Sequence, residues 1–398
     1  MLLAQDGFQA STRISDGVSN GALSGAIVST LFRKPETLQD CFKSLREIDD
    51  SALLLLDNEF YINAVMGADK FGKFSGYPYY QHLITKKDLS SPFKLTDFIK
   101  GVVDFQLDTV GLRSVTTPTV IIESFDHTSE ANSLALLSGS AEYIAASRSD
   151  DVDDIYGSIL INEQALSNTD SLPEFLDTLT SYDTLKGFYL VIDKTTSAFN
   201  YWSNPATLAV VMYITNALKT NGYDVILGYA DTPDLLALAT GAKALATGWW
   251  ENTTGFNQKK FKESGGGRRR TKYFSPQLLS NINIDPELQQ AKTLGLIDKI
   301  TLNNEIDKDL VDDPYDSPWA DAVAISHKWQ TLKTIIDEID ALSTEDEKLS
   351  ALEAKIDKSI EIYGTLADTG IKFEQNTGPR KAHVMKQAIA LYRQGVIY

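Results

Sequence analysis

Apolar residues along this chain fall into short runs that are nearly continuous rather than strictly alternating. The runs are "GAIVSTLF" (25–32), "SALLLLDNEFY" (51–61), "TVIIESF" (119–125), "AEYIAASR" (141–148), "IYGSILINE" (155–163), "GFYLVID" (187–193), "DVILGYA" (224–230) and "KALATGW" (243–249). Runs of this length and continuity are expected of strands covered on both faces, as in a parallel sheet. Helical patterns with start and stop signals lie between most of them. "PETLQDCFKSLREI" opens on Pro35, and "KLTDFIKGVVDFQLDTVG" carries a cap signal at Thr96 and a stop at Gly111. "TSEANSLALLSG" ends at Gly139, and "SLPEFLDTLTSY" has Ser171 before Pro173. "NPATLAVVMYITNALKTNG" and "TPDLLALATG" each place a capping residue, Asn204 and Thr232, before a proline and finish on a glycine.

Strands alternating with capped helices predict βα units. Eight strands predict a (β/α)8 (TIM-like) α/β barrel over residues 1–274. Only "SDDVDD" separates Arg148 from Ile155, too little for a helix. That short join keeps an open doubly wound parallel sheet as the alternative. An insertion at about 62–117 contains "FGKFSGYPYYQHL", whose rings and glycines suit a segment folded over the barrel mouth.

Beyond Phe274 the pattern changes to helical spacing in three segments, and 275–398 is expected to form a C-terminal helical region. Trp329, Leu332, Ile336, Ile339 and Leu342 form one stripe, and Leu349, Leu352, Ile356, Ile360 and Tyr363 a second. The link "STEDE" predicts an antiparallel helix pair, and "PRKAHVMKQAIALYRQG" a third helix. These helices, 319–398, are the candidate surface for a protein partner.

The segment "DVILGYADTPDLLALATGAKALATG" resembles strand seven, helix seven and strand eight of phosphate-binding TIM barrels. It shares Gly228 at the end of strand seven, a short helix, Gly241–Ala242 leading into strand eight, and Thr247–Gly248 at its end. The resemblance covers about 25 residues and implies the superfold, with no specific family. It departs from the pattern at Tyr229 and Trp249, where phosphate cups carry small residues. Trp249 and Trp250 face opposite ways if the strand persists, so one ring, Trp249 by preference, is a candidate stacking platform for a ligand.

Barrel enzymes gather their chemistry at strand C-termini. Here those ends carry Asp57 and Glu59, Glu123, Arg148, Asn162 with Glu163, Asp193 and Asp231. Asp57, Glu59, Glu123 and Asp193 are the candidate catalytic carboxylates, suited to acid–base chemistry, hydrolysis included, or to a divalent cation. Arg148, Asn162, Asp231 and Trp249 are candidate ligand contacts. His127 is the one histidine beside a strand end, and no HExxH or HxH spacing, nucleophile elbow, Walker loop or dinucleotide fingerprint occurs in its expected context.

Net charge changes the picture of partners. At −17 the chain repels nucleic acid and anionic membranes except where basic residues cluster. One such cluster follows the last strand. "NQKKFKESGGGRRRTKYF" holds seven Lys or Arg, among them Arg268, Arg269 and Arg270, against one Glu, with Phe261, Tyr273 and Phe274 interleaved. Such a loop suits a phosphate or single-stranded nucleic acid, and equally a strap paired with the protein's own carboxylates. A single cysteine, Cys41, fits a reducing compartment, and no stretch reaches 18 consecutive apolar residues. A cytoplasmic protein with no membrane span is the expectation.

Two functions follow. One is a barrel enzyme acting on a small polar or phosphorylated ligand, a nucleotide or nucleic-acid end among them, through rim carboxylates. The other is a non-catalytic scaffold or nucleic-acid-binding component of an assembly. A carbohydrate-active barrel shares the carboxylates of the first, and the basic loop counts against it.

Overall fold

The computed structural model describes residues 1–7, 11–65, 73–81, 83–125, 128–194, 201–261 and 271–395. The basic stretch 262–270, with Arg268, Arg269 and Arg270, and His127 lie outside the described residues, as does 66–72 of the insertion.

Eight parallel strands form a nearly closed barrel. They are β1 (Leu2–Gln5), β2 (Gly25–Ser29), β3 (Leu53–Asp57), β4 (Ser114–Thr116), β5 (Asp154–Asn162), β6 (Gly187–Asp193), β7 (Asp224–Leu227) and β8 (Ala244–Thr247). The ladder runs β3-β2-β1-β8-β7-β6-β5-β4 with every pair parallel. The β3–β4 seam is joined by side chains instead of a backbone ladder. Thr116 Oγ1 donates to the Leu56 carbonyl at 2.6 Å, and Asn58 Nδ2 donates to Thr116 Oγ1 and the Thr117 carbonyl, each at 3.1 Å.

The helices between strands are α1 (Ser11–Ser19), α2 (Pro35–Ile48), α3 (Pro92–Asp104), α4 (Thr128–Ser147), α5 (Leu172–Thr180), α6 (Pro205–Thr220) and the short α7 (Leu235–Ala239). Asn204 caps α6 by accepting from the Ala206 amide at 2.9 Å, and Pro205 supplies its first turn.

Three parts of the strand pattern are corrected. The run 141–148 is not a strand but the last two turns of α4, which passes through Gly139 without stopping. A Cβ at Gly139 would stand 2.6 Å from Ile99 Cδ1, so the glycine is there to let α4 cross α3 closely. The strand missing from the sequence pattern is β1, four residues with an all-buried pattern, paired between β2 and β8. The third run, 119–125, also shifts: β4 lies just before it, and only Ile121 and Ile122 pair, with Leu160 and Ile161 of β5.

Beyond β8 come a hairpin, β9 (Lys272–Ser275) and β10 (Ser280–Asn283), and three long helices, α8 (Asp321–Asp340), α9 (Glu345–Asp368) and α10 (Arg380–Arg393). Helix α8 packs against β1, α1 and α7, the place where a barrel's eighth helix lies. All five residues of α7 are buried, covered from outside by α8 and α9. Trp329, Leu332, Ile336 and Ile339 of α8, and Leu349, Leu352 and Ile356 of α9, belong to the barrel's own hydrophobic core. Both apolar stripes are therefore spent inside the molecule. Among the described residues no helix is long and apolar enough to cross a membrane.

Gly25 opens β2 at φ +147°, and a Cβ there would sit 2.0 Å from the Leu53 carbonyl oxygen. Gly25→Ala must therefore either break the start of the β2–β3 ladder or move a backbone that has nowhere to go. A loss of about 3 kcal/mol or more in denaturant unfolding is expected, and a loss under about 1 kcal/mol would show that the strand start yields.

A smaller core lies under the hairpin, built from Tyr273, Ile282, Leu310, Trp319 and Leu366 among others. His327 is fully buried in it, 4.8 Å from the Tyr273 ring and 5.4 Å from the Trp319 ring. Burial pushes its imidazole down to about 4 despite Asp307 at 3.9 Å. The unfolded chain thus takes up a proton near pH 6.5 that the folded chain refuses until about pH 4. Stability is expected to fall across that window as pH drops, by about 3 kcal/mol in all, and His327→Phe to remove this slope in pH-resolved urea melts.

Candidate active site at the barrel mouth

The C-terminal end of the barrel is filled by polar side chains from different strands. At its centre is Asp57, the last residue of β3, only 3% exposed. Its Oδ2 accepts from Tyr229 at 3.0 Å, Tyr189 at 3.1 Å and, at the limit, Tyr61 at 3.5 Å. Its Oδ1 accepts from the Glu59 amide at 3.2 Å. Burial, and Asp57 itself, push all three phenols well above their ordinary range, so each keeps its proton to donate. Gln5, at the end of β1, joins the same group. Its Oε1 accepts from the Tyr229 amide at 3.2 Å and from the Tyr189 hydroxyl at 3.4 Å, and its buried Nε2 has no partner among the described residues.

Gly228 makes room for this cluster. A Cβ there would stand 2.5 Å from Cε2 and 2.7 Å from the hydroxyl of Tyr189. Gly248 is likewise pressed by Thr253, 2.0 Å from the place of a Cβ, and by the Gln5 carbonyl oxygen at 2.8 Å. The two glycines shared with phosphate-binding barrels thus admit this protein's own side chains.

Glu59 is buried beside Asp57. Its Oε2 accepts from Ser29 at 2.8 Å, Thr30 at 2.9 Å and the Leu31 amide at 2.5 Å. Its backbone is left-handed at φ +50°, as is that of Tyr229 at φ +51°. Left-handed backbone is uncommon for glutamate and tyrosine and persists only where the surroundings enforce it. Because the strand ends at Asp57, the inside–outside alternation stops there: Asn58 turns into the β3–β4 seam and both carboxylates are buried. Next to them, Arg33 grips Asp6 through Nε at 2.8 Å and Nη2 at 3.1 Å. Burial still pushes the Asp6 carboxyl up, against the pull of Arg33.

Asp193, at the end of β6, is fully buried. It accepts from Asn162 Nδ2 at 3.1 Å and from Gln258 twice, through Nε2 at 2.9 Å and the amide at 3.1 Å. Those bonds hold a segment across the mouth. Phe256 bridges to Asp193 in the parallel sense, and its carbonyl accepts from the Lys194 amide. Its ring meets Tyr61 at 5.3 Å and Tyr229 at 5.2 Å, both edge-on, and Phe261 follows at 6.1 Å. Phe256 thus roofs the Asp57 cluster with its ring.

The other candidates lie elsewhere. Glu123 is exposed, and its amide is held by Ser129 Oγ at 3.0 Å. Arg148 does not end a strand. It follows α4 at the opposite end of the barrel, bound to Asp104, Asp108 and Asp151. Trp249 packs against Trp329 of α8 at 5.7 Å with Arg13 of α1 over its ring, facing the helix layer.

Asp231 belongs to a neighbouring buried cluster. Lys381 of α10 donates to its Oδ2 at 2.5 Å. Against the cost of burial, Lys381 and Lys328 hold its carboxyl well below the usual range. Lys194 pairs with Asp234 at 3.5 Å and lies 4.6 Å over the Trp202 ring, whose Nε1 donates to Asp234 at 2.6 Å. Burial pushes the Asp234 carboxyl up. Among the described residues no group of three or more His, Cys, Asp or Glu is placed to hold a metal ion.

The fold is that of a TIM barrel whose polar residues converge at the strand C-termini. No protein-family model matches the chain, and no curated protein sequence matches it.

Proposed function

We propose that this protein is a TIM-barrel enzyme that binds a small polar molecule at the C-terminal mouth, with Asp57 as its acid–base group. What supports this is a convergence: side chains from β1, β3 and β6 and from Tyr229, two residues past β7, meet around one carboxylate, at the barrel end where such enzymes work. A buried carboxylate costs stability that packing alone does not ask for. Two enforced left-handed residues, Glu59 and Tyr229, flank it.

In this mechanism a substrate hydroxyl or amine takes the place of Tyr61, the most distant of the three donors. Asp57 then exchanges a proton with it while Tyr189 and Tyr229 hold the carboxylate still. Gln5 Nε2 supplies a further donor. Phe256 and the Gln258–Asp193 clasp shut the mouth during turnover, excluding water. The filling of Gly228 and Gly248 by Tyr189 and Thr253 favours a polar group, not a phosphate, at the barrel axis.

The test is untargeted turnover. The purified chain is incubated with a pool of cellular polar metabolites, and depletion and product are followed by mass spectrometry, with Asp57→Asn in parallel. At least one metabolite consumed by the natural chain and spared by the variant is expected. Identical metabolite profiles for the two proteins would end the proposal.

A further inference from the structure

Among the described residues, the buried cluster beside the mouth carries more positive than negative charge, Lys194, Lys328 and Lys381 against Asp231 and Asp234. Lys194 and Asp234 balance each other. Around Asp231 the count is uneven, because Lys381 pairs with it while Lys328 also lies within electrostatic reach. Lys328 is 5% exposed, and its ammonium donates only to the Gly248 carbonyl, at 3.2 Å, among the described residues. Thr232, next in the chain to Asp231 and 1% exposed, has a buried hydroxyl without a partner there. A buried cation whose one hydrogen bond goes to a neutral carbonyl, with its nearest carboxylate already paired to another lysine, favours the arrival of an anion.

We propose that Lys328 and Lys381, with the Thr232 hydroxyl, form a binding site for an oxyanion group, a carboxylate or phosphate, carried by the ligand of the barrel mouth. The position fits. Gly248 follows β8, and a Cβ on it would stand 2.8 Å from the Gln5 carbonyl, while Asp231 is two residues past Tyr229. The anion site therefore adjoins the Asp57 cluster, and its cations come from α8 and α10 rather than from barrel loops. That gives the C-terminal helices a part in recognition besides covering α7. Lys328 fits an anion that arrives and leaves: burial first, against the pull of Asp231 and helped by Lys381 and Lys272, brings its ammonium down to about 8, so it is charged at neutral pH yet held weakly. The substrate class is a small polar molecule with one anionic group, and this role rests on the mouth being a ligand site.

The experiment uses the full chain with inorganic phosphate or acetate as probes, in a buffer whose anions are otherwise held constant. Two readouts are taken: the melting temperature, and the rate at which an amine-reactive reagent labels Lys328 at pH 8, read by peptide mapping. One of the two probes is expected to raise the melting temperature saturably and to slow Lys328 labelling. Lys328→Met, which removes a costly charge and so folds, should weaken that response by roughly tenfold or more. Response to phosphate alone or to acetate alone assigns the group. No response to either in the natural chain, or an unchanged response in Lys328→Met, overturns the inference. Asp57→Asn should keep the anion response. Loss of turnover in that variant without any anion response leaves the enzyme standing and removes only this site, whereas an anion response with no turnover of any metabolite does the reverse.

Discussion

Asp57→Asn is expected to lower turnover by about a thousandfold or more and to leave the melting temperature nearly unchanged or raised. The two halves of that expectation have separate grounds. Asparagine keeps the shape of aspartate, and its carbonyl oxygen still accepts from Tyr189 and Tyr229, which now stand at 3.1 and 3.0 Å from Oδ2. What it removes is a buried charge, which is itself destabilising. It also removes any capacity to exchange a proton near neutral pH. A carboxylate kept only for architecture behaves in the opposite way, costing stability when lost and sparing activity. Tyr61→Phe separates the roles further. Its hydroxyl is 3.5 Å from Asp57, so its loss should raise KM or lower it by a few-fold while kcat changes little. Tyr229→Phe, which removes the closest of the three phenols, should lower kcat instead. Steady-state kinetics on the metabolite identified by profiling, together with thermal melts, decide between the two accounts.

How much of this was legible in the sequence differs between fold and site. The barrel was legible because buried parallel strands write long apolar runs, and β2, β3 and β5 to β8 each have one. The count of eight nevertheless arose partly by compensation. The false strand at 141–148 replaced β1, whose four residues are too few to show a period. Gly139 read as a stop because a helix-ending glycine and a glycine at a helix crossing look alike in sequence. At the mouth, Asp57, Glu59, Asn162 and Asp193 were placed by their positions after apolar runs. Glu123 followed such a run too, yet only two residues of that run pair, and the carboxylate turns to solvent.

The role of the tyrosines was not legible in the sequence. Tyr229 stood out as too bulky for a phosphate cup, and its role as an Asp57 donor needs the register of β7 against β3, which no local pattern carries. Tyr189 does have a signal: it lies four residues before Asp193 in β6, on the same face by the period of two. Phe256 and Gln258 gave none, since a loop's path over the mouth is set by contacts it makes only once folded. The lysines are the extreme case. Lys381 meets Asp231 across 150 residues of chain, and within α10 it is one polar residue of a helix start.

Lys381→Met is expected to destabilise the protein by about 3 kcal/mol, because it strands Asp231 in a buried site. The side chains of the pair are only 11% and 6% exposed, so solvent screens little of the interaction. Lys328 remains within reach of Asp231 and limits the loss, but its one hydrogen bond goes to Gly248. The double variant Asp231→Asn with Lys381→Met should recover most of the stability, since replacing both partners removes the charge-burial cost along with the attraction. A coupling of about 2 kcal/mol or more is therefore expected from the double-mutant cycle by denaturant unfolding. A coupling under about 0.5 kcal/mol would mean that α10 is held by its packing against α6 and α9 without help from the ion pair. The pH dependence supplies an independent sign. The folded Asp231 carboxyl lies below its ordinary value, so its contribution is complete above the ordinary carboxylate range and is lost only as pH falls through the lower, folded value. The natural chain should thus keep this part of its stability at pH 4 and lose it only in stronger acid. Because α8, α9 and α10 share one core with the barrel, unfolding of the variant should remain a single transition. A separate early loss of helix would instead show the C-terminal helices leaving a barrel that stands without them.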